Sequence, residues 1–93
     1  MQGAGGVKIP PETYWPEVQR IVDKYGILLL ADEVITGFGR LGTWFASPYC
    51  GIRPNLITFA KGATSGYIPL SGLLVDDMIA GELMAHDDDF HHG

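Results

Sequence analysis

Beginning at Tyr14, apolar residues return every three or four positions. Tyr14, Trp15, Val18, Ile21, Val22 and Tyr25 form the series, with Glu17, Arg20, Asp23 and Lys24 between them. That spacing follows the turn of an α-helix and predicts an amphipathic one. Thr13 is its expected N-cap, and Pro16 falls in the first turn, where a missing N–H leaves nothing unpaired. Gly26 suits the left-handed residue that ends such a helix. The pattern then changes. Residues 27–31 are an unbroken apolar run closed by Asp32 and Glu33, which predicts a short parallel strand covered on both faces. A second run, 56–60, ends on Lys61, and a third strand is expected at 70–75. Asp76 is placed to cap a short helix reaching about Met84.

The intervening segments are turns: 3–11, a long glycine-rich loop at 36–55, and 62–69. No repeat, low-complexity tract or linker divides the chain. A helix feeding a buried strand, then a further strand, is the order of an α/β protein with a mostly parallel sheet and flanking helices. Ligands of such sheets bind beyond the carboxyl ends of the strands. Two runs deliver a charged residue to that edge, Asp32 and Lys61.

Composition narrows the class. At 93 residues with 46% hydrophobic content and mean hydropathy +0.13, the chain is one small unit and too apolar to be disordered. Its 13 glycines and 6 prolines, without staples, suit an internal slice of a larger α/β enzyme, truncated at both ends. As an isolated chain it is expected to fold poorly. Cys50 is the sole cysteine, so no internal disulfide exists and a reducing compartment is the simplest expectation. A net charge of -5 with six Lys and Arg offers no cationic footprint for nucleic acid or anionic lipid. The longest apolar run is far short of a membrane span, and the first residues carry no signal-peptide pattern. The expectation is a cytoplasmic protein.

The candidate chemistry sits at the two strand ends. Lys61 lies between small and apolar neighbours, Phe59, Ala60, Gly62 and Ala63, with no acid within ten residues on either side. Its plainer role is that of a solvent-facing lysine. A desolvated lysine without a partner is nucleophilic and suited to Schiff-base chemistry with a carbonyl. The plainer role of Asp32 is to cap or brace the following loop. A buried carboxylate needs a cationic partner, and a protonated pyridine nitrogen is one.

These residues resemble a known family. Residues 30–40, Leu-Ala-Asp-Glu-Val-Ile-Thr-Gly-Phe-Gly-Arg, are similar to the signature of class III (ω-type) aminotransferases. So are residues 56–62, followed by Thr64, Ser65, Gly66, Tyr67, Ile68, Pro69 and Leu70, and the opening loop with Pro10 and Pro11. The resemblance runs through the whole chain. It implies part of the large, cofactor-binding domain of a fold type I transferase dependent on pyridoxal 5′-phosphate (PLP), acting as a homodimer or tetramer. Carried across by position, Lys61 bears the cofactor as a Schiff base and shuttles a proton. Asp32 pairs with the pyridine nitrogen, and Val34 supports one ring face. The implied reaction moves an amino group from an amine or amino acid to a 2-oxo acid such as pyruvate. An aminomutase or decarboxylase of the same family is the nearest alternative, and a non-catalytic fragment or interaction module is another. The family's phosphate-binding turn, a neighbouring-subunit threonine and a substrate-binding arginine are expected outside these residues.

Leu41-Gly42 and Ser71 depart from the family pattern, where threonine-glycine and glycine are usual. Ile35 stands where ornithine-type members carry glutamine, which leans toward the amine:pyruvate branch. Residues 37–42 also fit G-x-G-x-x-G, but five residues separate them from the strand, and no acid follows before Asp76, against a dinucleotide site. His86, His91 and His92 with residues 87–89 read as a solvated loop rather than a metal site. Tyr14, Trp15 and Tyr25 are expected on the buried face of the first helix, and Arg40 is expected to brace the long loop.

Overall fold

The computed structural model describes residues 2–86. In chain order these form α1 (Tyr14–Tyr25), β1 (Leu30–Asp32), α2 (Ala46–Tyr49), β2 (Leu56–Phe59), a 3₁₀ turn (Lys61–Ala63), β3 (Gly72–Val75) and α3 (Asp77–Ala85). Helix α1 ends as expected. Gly26 takes φ 62° and ψ 37°, and the N–H groups of Gly26 and Ile27 both donate to the Val22 carbonyl, closing the last turn. Thr13, expected to cap by its side chain, does not. Its backbone is already helical at φ -76°, and the Tyr14 N–H donates to the Pro11 carbonyl instead. Helix α3 is capped as its sequence implies, the Asp76 carboxylate accepting from the Ile79 N–H at 2.9 Å.

The three strands form one sheet in the order β1-β2-β3. Strands β1 and β2 are parallel, with Leu30 opposite Leu56, Ala31 opposite Ile57 and Asp32 opposite Thr58. Strand β3 runs antiparallel to β2, with Phe59 opposite Gly72. The expected parallel pairing is therefore present in β1 and β2, while the pairing of β3 with β2 is antiparallel. Residues 60–71 turn back without a helix long enough to carry the chain to the other end of the sheet. Strand β1 is also shorter than the run 27–31. Before it, the Leu29 N–H donates to the Asn55 side chain at 2.9 Å, and the Asn55 N–H returns a bond to the Leu29 carbonyl at 2.8 Å. The Asn55 amide further donates to Asp76 at 2.6 Å, tying both strand starts to the cap of α3.

The described residues leave the strand faces largely open, in keeping with an internal slice of a larger α/β enzyme. Leu28, Leu30 and Leu74 are exposed, and among the described residues the buried hydrophobic side chains are Ala46 and Ile52. The accessible surface is 7052 Å², against about 5,300 Å² for a compact monomer of this mass. The aromatic face of α1 is open too: Tyr14 and Tyr25 are exposed, and the residue of that helix classed as buried is Gln19. Gln19 accepts from the Arg53 N–H at 2.8 Å and donates to Asp23 at 2.7 Å, joining α1 to the chain entering β2.

Candidate functional site

Asp32 is the last residue of β1. Its Oδ1 accepts from the Val34 N–H at 3.1 Å, a turn in which the side chain holds the backbone two residues on. The same oxygen accepts from the Thr58 hydroxyl at 3.3 Å across the ladder. No described residue donates to Oδ2. The carboxylate is exposed rather than buried, so the expected desolvation is not provided by these residues. What the strand provides is aim: Oδ1 is held by two donors, and Oδ2 is free of donors among the described residues. Val34, half-buried, follows directly, its backbone fixed by that turn.

Glu33, which the sequence reading used only as a strand terminator, proves the most heavily bonded side chain here. It is 2% exposed. Oε2 accepts from the Thr36 hydroxyl at 2.8 Å and the Ala46 N–H at 2.6 Å; Oε1 accepts from the Ser47 N–H at 2.7 Å and the Ser47 hydroxyl at 2.6 Å. Burial pushes this carboxyl up, but the Ser47 hydroxyl, the Ala46 N–H, the Thr36 hydroxyl and the Ser47 N–H outweigh it, and the net direction is below the ordinary 4.5. The same bonds explain α2. Residues 44–48 were expected to stay in loop, yet Glu33 supplies from a distance the cap that Phe45 lacks, and a single helical turn forms.

Between Glu33 and α2 the chain folds back on itself. The Phe38 N–H donates to the Trp44 carbonyl and the Gly39 N–H to the Thr43 carbonyl, at 2.6 and 3.1 Å. Residues 37–42 are thus the tip of a closed loop, not a turn from strand into helix, which removes the dinucleotide reading. Phe38 adopts φ 57° and lies edge-on to Phe45 and Phe59, both with centroids 5.5 Å away. Arg40, expected to brace this loop, is exposed and makes no side-chain hydrogen bond to a described residue. Bracing comes from Glu33 and Phe38 instead.

Lys61 follows β2 and opens the 3₁₀ turn at φ 40°, a left-handed conformation that costs a non-glycine residue about 1–3 kcal/mol. Its side chain is exposed, without a salt bridge to a described residue, so the expected desolvation is again not supplied here. Gly62 fits closely at the next position. A Cβ there would lie 3.1 Å from Cβ of Phe38 and 3.3 Å from the Gly37 carbonyl oxygen. Beyond it, the Thr64 hydroxyl donates to the Ile68 carbonyl at 2.8 Å, and Lys61, Thr64, Gly66 and Ser71 help line an open depression of about 570 Å³.

The sheet thus brings Asp32, Val34 and Lys61 to one edge, the carboxyl ends of the parallel pair β1 and β2. An acceptor oxygen left open, a primary amine and a Gly-Ala turn beside it suit a planar ring with a carbonyl at one end and a basic nitrogen at the other. Thr58 was missed because matching the apolar runs 27–31 and 56–60 end to end would pair Asp32 with Lys61, whereas the ladder pairs Leu30 with Leu56 and so Asp32 with Thr58. Among the described residues no cluster of His, Cys, Asp or Glu is arranged to hold a metal. His86 lies 3.7 Å from Glu82, while His91, His92 and residues 87–89 lie outside the described residues.

Fold and site define an α/β protein with an acid and a lysine at one sheet edge. Comparison with known proteins gives the family. The model of aminotransferase class-III matches residues 1–93. A putrescine–pyruvate aminotransferase of Pseudomonas aeruginosa is 55% identical over all 93 residues, which cover 20% of its length. An (S)-enantioselective ω-transaminase from Thermomicrobium roseum superposes with a TM-score of 0.92 at 56% identity, over 99% of this chain and 21% of that one. A taurine:2-oxoglutarate aminotransferase from Bifidobacterium kashiwanohense, solved in complex with PLP and glutamate, gives 0.88 at 46% identity over 92% of this chain and 19% of that one. The chain belongs to the class-III aminotransferase family. It spans about a fifth of the length of the relatives it matches.

Proposed function

We propose that these residues form part of the PLP-binding large domain of a transaminase that moves an amino group from an amine or amino acid to a 2-oxo acid such as pyruvate. The observation that carries the proposal is the meeting of Asp32 and Lys61 at the carboxyl edge of one parallel strand pair, with Asp32 pre-aimed by Val34 and Thr58. PLP, when bound, supplies an electrophilic carbonyl carbon and a ring that accepts the electron pair released when a bond to the substrate's α-carbon breaks. Lys61 Nζ is the nucleophile that holds the cofactor between turnovers. The same nitrogen, at this sheet edge, would be the group to take up and return a proton at the substrate's α-carbon. Asp32 would hold the ring nitrogen in its protonated form, which would make the ring a stronger electron acceptor. Val34 supports a ring face.

The relatives support this reading: one is named for pyruvate as acceptor, and another was solved with PLP. A homodimer or tetramer, as the family resemblance implies, completes the proposal, with the cytoplasm as its compartment; the free thiol of Cys50 is in keeping with a reducing environment. The test is alanine formation from pyruvate and a diamine or monoamine by the full-length protein loaded with PLP. Stoichiometric alanine and carbonyl product support transamination. Carbon dioxide release, or an isomerised amino acid without acceptor consumption, would point to the decarboxylase or aminomutase alternative.

A further inference from the structure

We infer that Glu33 is a positioning residue for Lys61, acting through the closed loop 34–45; the inference rests on the reading of Lys61 as the cofactor-bearing lysine. The route is a chain of contacts. The Glu33 carboxylate gathers both ends of the loop, Thr36 near its start and Ala46 and Ser47 just past its end. The Gly37 N–H donates back to the Glu33 carbonyl at 2.9 Å, so the loop leaves the strand on a fixed path. At the far side of that path, Gly37 and Phe38 lie against Gly62, where even a methyl group would be crowded by Cβ of Phe38 and the Gly37 carbonyl oxygen. Gly62 is the second residue of the turn that Lys61 opens at φ 40°. The left-handed Lys61 backbone persists because its surroundings over-determine it, and the loop held by Glu33 is one wall of those surroundings. Phe38 packs edge-on against Phe59, two residues before Lys61, and gives a second point of contact.

Stability alone does not require this arrangement. A buried carboxylate carrying four hydrogen bonds is costly to desolvate, and an apolar plug of similar volume is frequently as stabilising. What the carboxylate adds is geometry, since its two oxygens fix four donors from three residues at once.

The test uses the full-length enzyme loaded with PLP and two variants at opposite ends of the route. Glu33→Gln sets an amide N–H₂ against backbone N–H donors and loosens the loop base. Gly62→Ala leaves all four Glu33 bonds intact and presses on the loop from the lysine side. The readouts are kcat, KM and the pH midpoint of the visible absorption band of lysine-bound PLP, with circular dichroism as the folding control. Each variant is expected to lower kcat by about 10- to 100-fold with KM little changed, as a misplacement of about 1 Å does. The band midpoint should move by about half a pH unit or more, because the lysine's setting is altered. A folded Glu33→Gln enzyme with wild-type kcat and midpoint overturns the inference. If Glu33→Gln does not fold, Thr36→Val, which deletes a single bond, takes its place beside Gly62→Ala; unchanged midpoints in both then overturn it. A wild-type protein lacking any visible band abolished by Lys61→Ala would instead sink the underlying reading of Lys61, a result distinguishable from failure of the coupling.

Discussion

Asp32 and Thr58 stand on the same rung of the parallel ladder, and the threonine hydroxyl donates to the carboxylate at 3.3 Å. At that length the bond is weak, so its value lies in orientation more than energy. Thr58→Val keeps the shape of the strand and removes the donor. The expected result is a fall in kcat of about 2- to 10-fold, the worth of one ordinary hydrogen bond, with little change in melting temperature. A Thr58→Val enzyme that lost all PLP would show that the threonine does more than aim its neighbour.

Replacing the carboxylate itself has a larger effect. Asp32→Asn retains an oxygen that can accept from the Val34 N–H but loses the charge that we propose pairs with the ring nitrogen. We expect kcat to drop by about 10²- to 10³-fold, as for other preorganised electrostatic groups. Asp32 is exposed and serves no packing role, so the thermal unfolding curve should be nearly superimposable on wild type. Wild-type turnover in Asp32→Asn would show the electron-sink assignment to be wrong.

Two glycines separate backbone crowding from side-chain crowding. A Cβ on Gly37 would lie 2.9 Å from the Glu33 carbonyl oxygen and 3.2 Å from the Phe45 ring, whereas the nearest atoms to one on Gly72 belong to the ring of Phe59. A ring can swing aside, although this one is held by Phe38; a carbonyl in a closed loop cannot. Gly37→Ala should therefore cost about 1–3 kcal/mol and lower the melting temperature more than Gly72→Ala does. The opposite order would show the loop to be softer than its hydrogen bonds imply.

The Glu33 carboxyl lies below its ordinary 4.5 in the folded protein, so its contribution is fully present above that value. It is lost as the pH falls through the lower folded value, because the unfolded chain then binds the proton more readily. Acid unfolding of wild type should be steeper below about pH 4.5 than that of Glu33→Gln, which has no proton to take up. Parallel acid limbs in the two proteins would remove Glu33 from the acid response.

The parts legible in the sequence are those encoded locally. The limits of α1, the Asp76 cap and the charges at the ends of two apolar runs all depend on neighbours within a turn or a strand. Lys61 and Asp32 are local signals of that kind, which is why the sheet edge they share can be read before any coordinates. Glu33 cannot be read that way, because its partners lie 3, 13 and 14 residues on and become partners only when the loop closes. The direction of β3 is hidden for the same reason: an apolar run has no arrow, and only the compact turn at 60–71 sets it. What covers the strand faces is hidden as well, because apolarity states what a face needs and not which residues lie over it; Leu28, Leu30 and Leu74 stay exposed among the described residues.

The central claim is that Lys61 carries the cofactor. Borohydride reduction of the PLP-loaded full-length enzyme fixes the linkage, and peptide mass mapping then locates it. The adduct is expected on the peptide containing Lys61 and no other. An adduct on Lys8 or Lys24 with Lys61 unmodified would contradict the account.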